Sequence, residues 1–256
     1  VLVHHYLEGT TTSLSPDEII NGQVDDTYRT VESTDLLFGN YDLVEEPDNK
    51  TGIMTEDQIV VTYYYQLKNY PYVVNYLEKD TNKILHEQKI QNGMTFEDEI
   101  TSANEVIAID GYNYDSVDKD TLKITTGENV INIYYTKRND LSYTVNYLEK
   151  NTNKVIHAPK VTGNMTFEDE ITSVDEIITI NGYSYDSVDK DKLVITTGEN
   201  TINIYYTKIN GLAYTVNYLE KDTGKVLHAP KTTDNMTFED KVTTADEVIA
   251  IDGYNY

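Results

Sequence analysis

The sequence predicts an α+β fold repeated in tandem, each unit a mixed sheet of about five strands with one short helix. Three observations predict it. Tyr143-Thr144-Val145-Asn146-Tyr147-Leu148-Glu149-Lys150 recurs almost unchanged at Tyr72–Lys79 and Tyr214–Lys221, at a spacing of 71 residues, and a fixed long period marks a repeat architecture. Tyr72, Val74 and Tyr76 alternate with Val73, Asn75 and Leu77, which fits a half-buried strand. Between such runs lie Asn, Asp and Gly clusters that favour turns. The period divides the chain into residues 1–68, 69–140, 141–211 and a shortened 212–256.

The second unit shows the plan most clearly. A first strand at Tyr72–Lys79 leads into a turn at Asp80-Thr81-Asn82-Lys83, matched by Asp222-Thr223-Gly224-Lys225 in the fourth unit. Asn and Gly alternating at one position indicate a left-handed backbone there. A second strand follows at Ile84-Leu85-His86. Thr95-Phe96-Glu97-Asp98 and Ser102-Ala103-Asn104-Glu105 both place an acid three residues after a hydroxyl, which is a helix-start pattern. One short helix is expected near Ser102–Ile107, ended by Gly111-Tyr112. Strands at Tyr112–Val117, Leu122–Thr125 and Val130–Tyr135 complete the order β-β-α-β-β-β.

The third unit repeats this with conservative changes such as Ile84 to Val155 and Val106 to Ile177. The fourth stops at Tyr256, the counterpart of Tyr185, before the last two strands. The first unit is the divergent one. Val3-His4-His5-Tyr6-Leu7-Glu8-Gly9 follows the first strand loosely, and Val60-Val61-Thr62-Tyr63-Tyr64-Tyr65 follows the last strand well. Asn21-Gly22, Phe38-Gly39-Asn40-Tyr41 and Glu46–Gly52 supply different loops. The joins Lys68-Asn69-Tyr70-Pro71 and Lys137–Ser142 are short, which favours an elongated, semi-stiff rod. The start at Val1 and the stop within a repeat lead us to expect a piece of a longer protein.

Composition narrows the function classes. With 44 acidic and 20 basic residues the formal charge is −24, which disfavours nucleic acid and anionic membrane surfaces as partners. The absence of cysteine excludes disulfides and thiolate metal sites. The 23 tyrosines suit strands whose buried rings keep a polar tip.

Candidate chemistry is sparse. His86, His157 and His228 occupy one strand position three times over, which favours packing over catalysis. His4 and His5 are neighbours on a strand and point to opposite faces, so they do not share a metal. Asp115-Ser116-Val117-Asp118-Lys119-Asp120, repeated at Asp186, Asp189 and Asp191, offers the oxygens a hard cation wants. It lacks the mid-loop glycine and terminal glutamate of the best-known calcium loop, so a solvated acidic turn is the favoured reading. Tyr112, Tyr114, Tyr134 and Tyr135 could stack on sugar rings, although adjacent strand tyrosines must place one ring in and one out. No catalytic residue, metal ligand or cofactor is assigned, and no enzyme activity is expected.

A Val-x-Tyr-x-Glu strand, a hairpin turn, a Gly-Tyr after a short helical segment and a closing Val-x-x-x-Tyr-Tyr strand resemble the MucBP (mucin-binding protein) repeat. Val3–Gly9, Asn21-Gly22, Gly39-Asn40-Tyr41 and Thr55–Tyr65 carry the resemblance in the first unit; Val74–Lys79, Gly111-Tyr112 and Asn129–Tyr135 carry it in the second. The resemblance implies β-grasp-like (ubiquitin-like) domains in a Gram-positive surface protein, extracellular and wall-anchored through other regions. It further implies adhesion to host mucin or another glycoprotein by a monomeric rod. The alternative is a structural stalk that projects a separate adhesive domain. Its divergent loops make residues 1–68 the expected binding unit.

Overall fold

Parallel pairing of the first and last strands of a repeat is the organising feature. The computed structural model describes residues 1–256, which divide into two compact units, Val1–Thr136 and Lys137–Tyr256. The first repeat comprises β1 (Leu2–Leu7), β2 (Glu18–Ile19), β3 (Thr27–Arg29), helix α1 (Thr34–Phe38), β4 (Tyr41–Glu45), β5 (Thr51–Ile53) and β6 (Val60–Leu67). The second has β7 (Asn69–Glu78), β8 (Ile84–Thr95), β9 (Glu99–Thr101), β10 (Tyr112–Val117), β11 (Thr121–Lys123) and β12 (Val130–Lys137). The third has β13 (Leu141–Glu149), β14 (Val155–Met165), β15 (Glu170–Thr172), β16 (Tyr183–Val188), β17 (Lys192–Val194) and β18 (Thr201–Lys208). The fourth contributes β19 (Leu212–Leu219) and β20 (Val226–Met236).

The mixed sheet has four strands, in the orders β2-β1-β6-β4, β8-β7-β12-β10 and β14-β13-β18-β16. The two central strands are parallel and the outer ones antiparallel to them. This β-grasp-like order requires a crossover between the parallel pair, and the connection carries the helical turn and a separate two-stranded ribbon, β3-β5, β9-β11 or β15-β17. The expected five-stranded sheet is thus four strands plus a ribbon. The expected helix is a 3-10 turn at Ser102–Glu105, Ser173–Glu176 and Thr244–Glu247, and an α-helix only in the first repeat.

Alternation puts one face of each central strand inside. Val74, Ile131, Ile133 and Tyr135 form the second core with Tyr72, Tyr76, Leu122 and Ile124; Val145, Ile202, Ile204 and Tyr206 anchor the third. The first core holds Val3, Tyr28, Met54, Val61, Tyr63 and Tyr65. Buried tyrosines fasten the crossover to the last strand. The Tyr135 hydroxyl donates to the Ile107 carbonyl (2.9 Å) and accepts from its N–H (3.2 Å), and Tyr206 does the same at Ile178.

Consecutive repeats within each compact unit are joined through the Thr-Phe-Glu-Asp loop. The Phe96 N–H donates to the Lys68 carbonyl at 2.9 Å, while the Lys68 ammonium donates to the Leu37 and Gly39 carbonyls at the end of α1. In the other unit the Phe238 N–H donates to the Ile209 carbonyl (2.8 Å), its ring meets Tyr183 edge-on at 5.6 Å, and Glu239 pairs with Lys208 at 3.0 Å.

Candidate functional site

Each of the second, third and fourth repeats contains a Lys–Glu–Tyr triangle that sequence spacing does not announce. Glu105 on the 3-10 turn is buried and accepts from the Tyr72 hydroxyl (2.9 Å) and the Lys89 ammonium (2.6 Å). Tyr143, Lys160 and Glu176 repeat the geometry at 2.8 and 2.5 Å, and Tyr214, Lys231 and Glu247 at 2.7 and 2.6 Å. Burial pushes the Glu176 carboxyl up, but hydrogen bonds from Lys160 and Tyr143 outweigh it and hold the group below its ordinary range. The same bond raises Lys160. This triangle clamps an edge strand to the crossover, and its groups are all mutually engaged.

The singled-out histidines separate. His86, His157 and His228 are exposed and meet Tyr76, Tyr147 and Tyr218 edge-on at 5.3 to 5.5 Å. His4 pairs with Asp17 at 2.7 Å on one face of β1. His5 is fully buried on the other, stacked on Tyr63 and bonded through Nδ1 to the Tyr65 hydroxyl at 2.9 Å. Its Nε2 has no hydrogen-bond partner and lies 3.9 Å from the Glu18 carboxylate. Burial lowers its pKa.

The acidic turn is dispersed among protein partners. Asp115 pairs with Lys79 at 2.7 Å and accepts from the Ser116 hydroxyl. Asp118 accepts from the Asn132 backbone and side chain, both at 3.0 Å, and Asn132 accepts from Asn75. The Asp120 carbonyl, not its carboxylate, caps Ser102. Asp186, Asp189 and Asp191 repeat these roles with Lys150, Asn203 and Ser173. Of the tyrosines, Tyr135 is buried, Tyr112 and Tyr134 are half-buried, and Tyr114 is exposed against the Tyr135 edge.

The sheet end also differs between repeats. In the second and third, Lys79–Asp115 and Lys150–Asp186 form a latch across the sheet end beside Tyr134 and Tyr205. In the first repeat the same backbone bond, from N–H to the carbonyl of the last buried tyrosine, is made by Glu8 to Tyr65, where Lys79 bonds Tyr135 and Lys150 bonds Tyr206. The bulge position of Asp186, between the partners of Tyr206 and Tyr205, is held by Val44, between the partners of Tyr65 and Tyr64. With Glu and Val in place of Lys and Asp no latch forms, and a shallow, open cleft lies there, lined by Glu8, Thr10, Thr11, Val44, Glu45 and Tyr64.

No helix is long and apolar enough to cross a membrane. Comparison with known proteins finds the MucBP domain at residues 1–66, 71–136 and 143–207. Internalin J of Listeria monocytogenes serovar 1/2a is 31% identical over 261 residues, covering 98% of this chain and 29% of the relative. Internalin J of serotype 4b is 31% identical over the same length, covering 27% of that relative. The chain thus spans under a third of these curated relatives. Among solved structures, Streptococcal High Identity Repeats in Tandem (SHIRT) domains 3-4 from a cell surface protein align with 55% of this chain and 98% of theirs, at TM-score 0.24 and 13% identity. Mub-RV aligns with 81% of this chain and 97% of its own, at TM-score 0.22 and 11% identity. Matches at three successive repeats cover well over half of the residues, and the chain belongs to the MucBP domain family.

Proposed function

We propose that this chain is an extracellular adhesin repeat region of a bacterial surface protein, wall-anchored through other parts of the parent, that binds host mucin-type glycoproteins. Membership of the MucBP family carries this reading. We take the repeat units as residues 1–68, 69–140, 141–211 and a shortened 212–256, acting as a monomer and without enzymatic chemistry. The first repeat is assigned the binding role because its loops and sheet end depart from the plan the others share. A stalk role fits the second and third repeats, which reproduce the same clamp and latch.

The test is retention on immobilised mucin, before and after glycan removal, of the whole chain and of its two compact units. The expected result is glycan-dependent retention of the whole chain and of Val1–Thr136, and none of Lys137–Tyr256. Equal retention of both units would move binding away from the first repeat. No retention of the whole chain would leave the stalk role for every repeat.

A further inference from the structure

We propose that the unlatched sheet end of the first repeat is a saccharide cleft that takes a neutral, hydroxyl-rich pyranose. The inference rests on the adhesin reading and assigns it a place and a ligand class. Tyr64 sits on β6, the strand between β1 and β4, and is 40% exposed, whereas Tyr134 and Tyr205 at the same position are half-buried. Glu8 follows β1 on one side of it and Glu45 ends β4 on the other. Both carboxylates are exposed. Thr10 and Thr11 add polar groups at the rim.

That arrangement selects a shape and a charge. The strands carrying the two carboxylates are two sheet spacings apart, roughly 10 Å, with Tyr64 on the strand between them, so a ligand that engages all three needs a flat apolar face and donors on opposite edges. A pyranose has both: its C–H face lies on the tyrosine ring, and hydroxyls around its edge donate to an acceptor on each side in charge-assisted bonds. An anionic sugar is repelled by Glu8 and Glu45 and by a chain of net charge −24. The other repeats supply the control. In the second repeat Lys79 is raised and Asp115 lowered by their mutual hydrogen bond; in the third Lys150 pairs with Asp186, and neither pair is left to a ligand.

The experiment is an NMR titration of the whole chain with methyl galactoside and N-acetylgalactosamine, with sialic acid and N-acetyl-lysine amide as counter-probes. Retention on desialylated mucin is measured in parallel. Neutral sugars are expected to shift the Tyr64 ring and the Glu45 amide. Combining Glu8→Lys with Val44→Asp rebuilds the latch from two exposed positions and is expected to weaken that response about tenfold or more; Tyr64→Ala should weaken it similarly. Larger shifts with sialic acid or the lysine amide, or an unchanged response in the relatched chain, would overturn the cleft. Mucin retention that survives relatching would also overturn it while leaving the adhesin reading intact. Sugar shifts at Tyr64 without mucin retention would uphold the cleft and overturn the adhesin reading.

Discussion

At the scale of single residues, two positions convert local geometry into measurable behaviour. His5 stands where the later repeats have Tyr76 and Tyr147, at the centre of a tyrosine cluster and with one nitrogen unpaired. Asp17 and Glu18 favour its charged form and His4 opposes it, but burial outweighs them and depresses the pKa. The unfolded chain therefore binds the proton more readily than the folded one. Stability of the first repeat is full above the ordinary histidine value near 6.5 and falls as pH drops below it. Hydrogen exchange resolved by repeat should show the first repeat losing protection between pH 7.5 and 5 ahead of the third, and His5→Phe should remove that difference. Loss of protection in step across both repeats would assign the effect to the carboxylates at large. Gly182 is the second position. Its backbone is left-handed at φ +78, and an added Cβ would stand 2.4 Å from the Phe238 ring. Gly182→Ala should destabilise the joint by about 2 kcal/mol, read as lost amide protection at Phe238.

At the scale of elements, the strands that alternate were legible and those that do not were not. Tyr72–Tyr76 and Val130–Tyr135 have one face in the core, so period two is written in their residue types. The strand beginning at Ile84 continues past His86 to Thr95 as a sheet edge exposed along most of its length, where both faces are wet and no period is imposed. Thr95-Phe96-Glu97-Asp98 carries the helix-start chemistry and even makes half of it: the Thr95 N–H donates to the Asp98 carboxylate at 2.8 Å. Glu97 then adopts φ +71, which a helix cannot continue through, and the loop becomes a joint. In Ser102–Glu105 the acid turns instead to Tyr72 and Lys89, partners fixed by strand register and invisible to local spacing. The open cleft was likewise hidden, because its meaning lies in which residues replace a Lys–Asp pair that only the fold brings together. The clamp itself is testable. Lys160→Ala leaves the buried Glu176 carboxylate with Tyr143 alone, and since the lysine is half-exposed the cost should be about 1–2 kcal/mol in denaturant unfolding. Lys160→Met should recover the packing part and not the charge part. No change in either variant would show the pair to be energetically idle.

At the scale of the whole chain, each first strand depends on a parallel closing strand for its burial, as the third and fourth repeats show side by side. Tyr143, Val145 and Tyr147 are buried in the third repeat alongside Ile202, Ile204 and Tyr206 of its parallel closing strand. Their counterparts Tyr214, Val216 and Tyr218 are only half-buried, because β19 pairs with β20 alone. In place of a core there is an open groove lined by Val216, Tyr218, Leu227, Val248, Ile251 and Tyr254. The hairpin keeps its turn at Gly224, its Lys231–Glu247 pair and the Phe238 contact to the third repeat. It lacks the buried apolar area that makes a two-stranded unit stable on its own. Amides of residues 214–256 should therefore exchange much faster than those of 143–185, with residual protection concentrated near Phe238, where the third repeat holds the loop. Supplying a peptide of residues 199–208, which carries the Ile202-Asn203-Ile204-Tyr205-Tyr206 pattern, should raise protection across β19 if pairing with a parallel closing strand is what β19 needs. Fast exchange unchanged by the peptide would place the deficit elsewhere in the repeat, and protection already equal to the third repeat would show that the hairpin finds its partner in another chain.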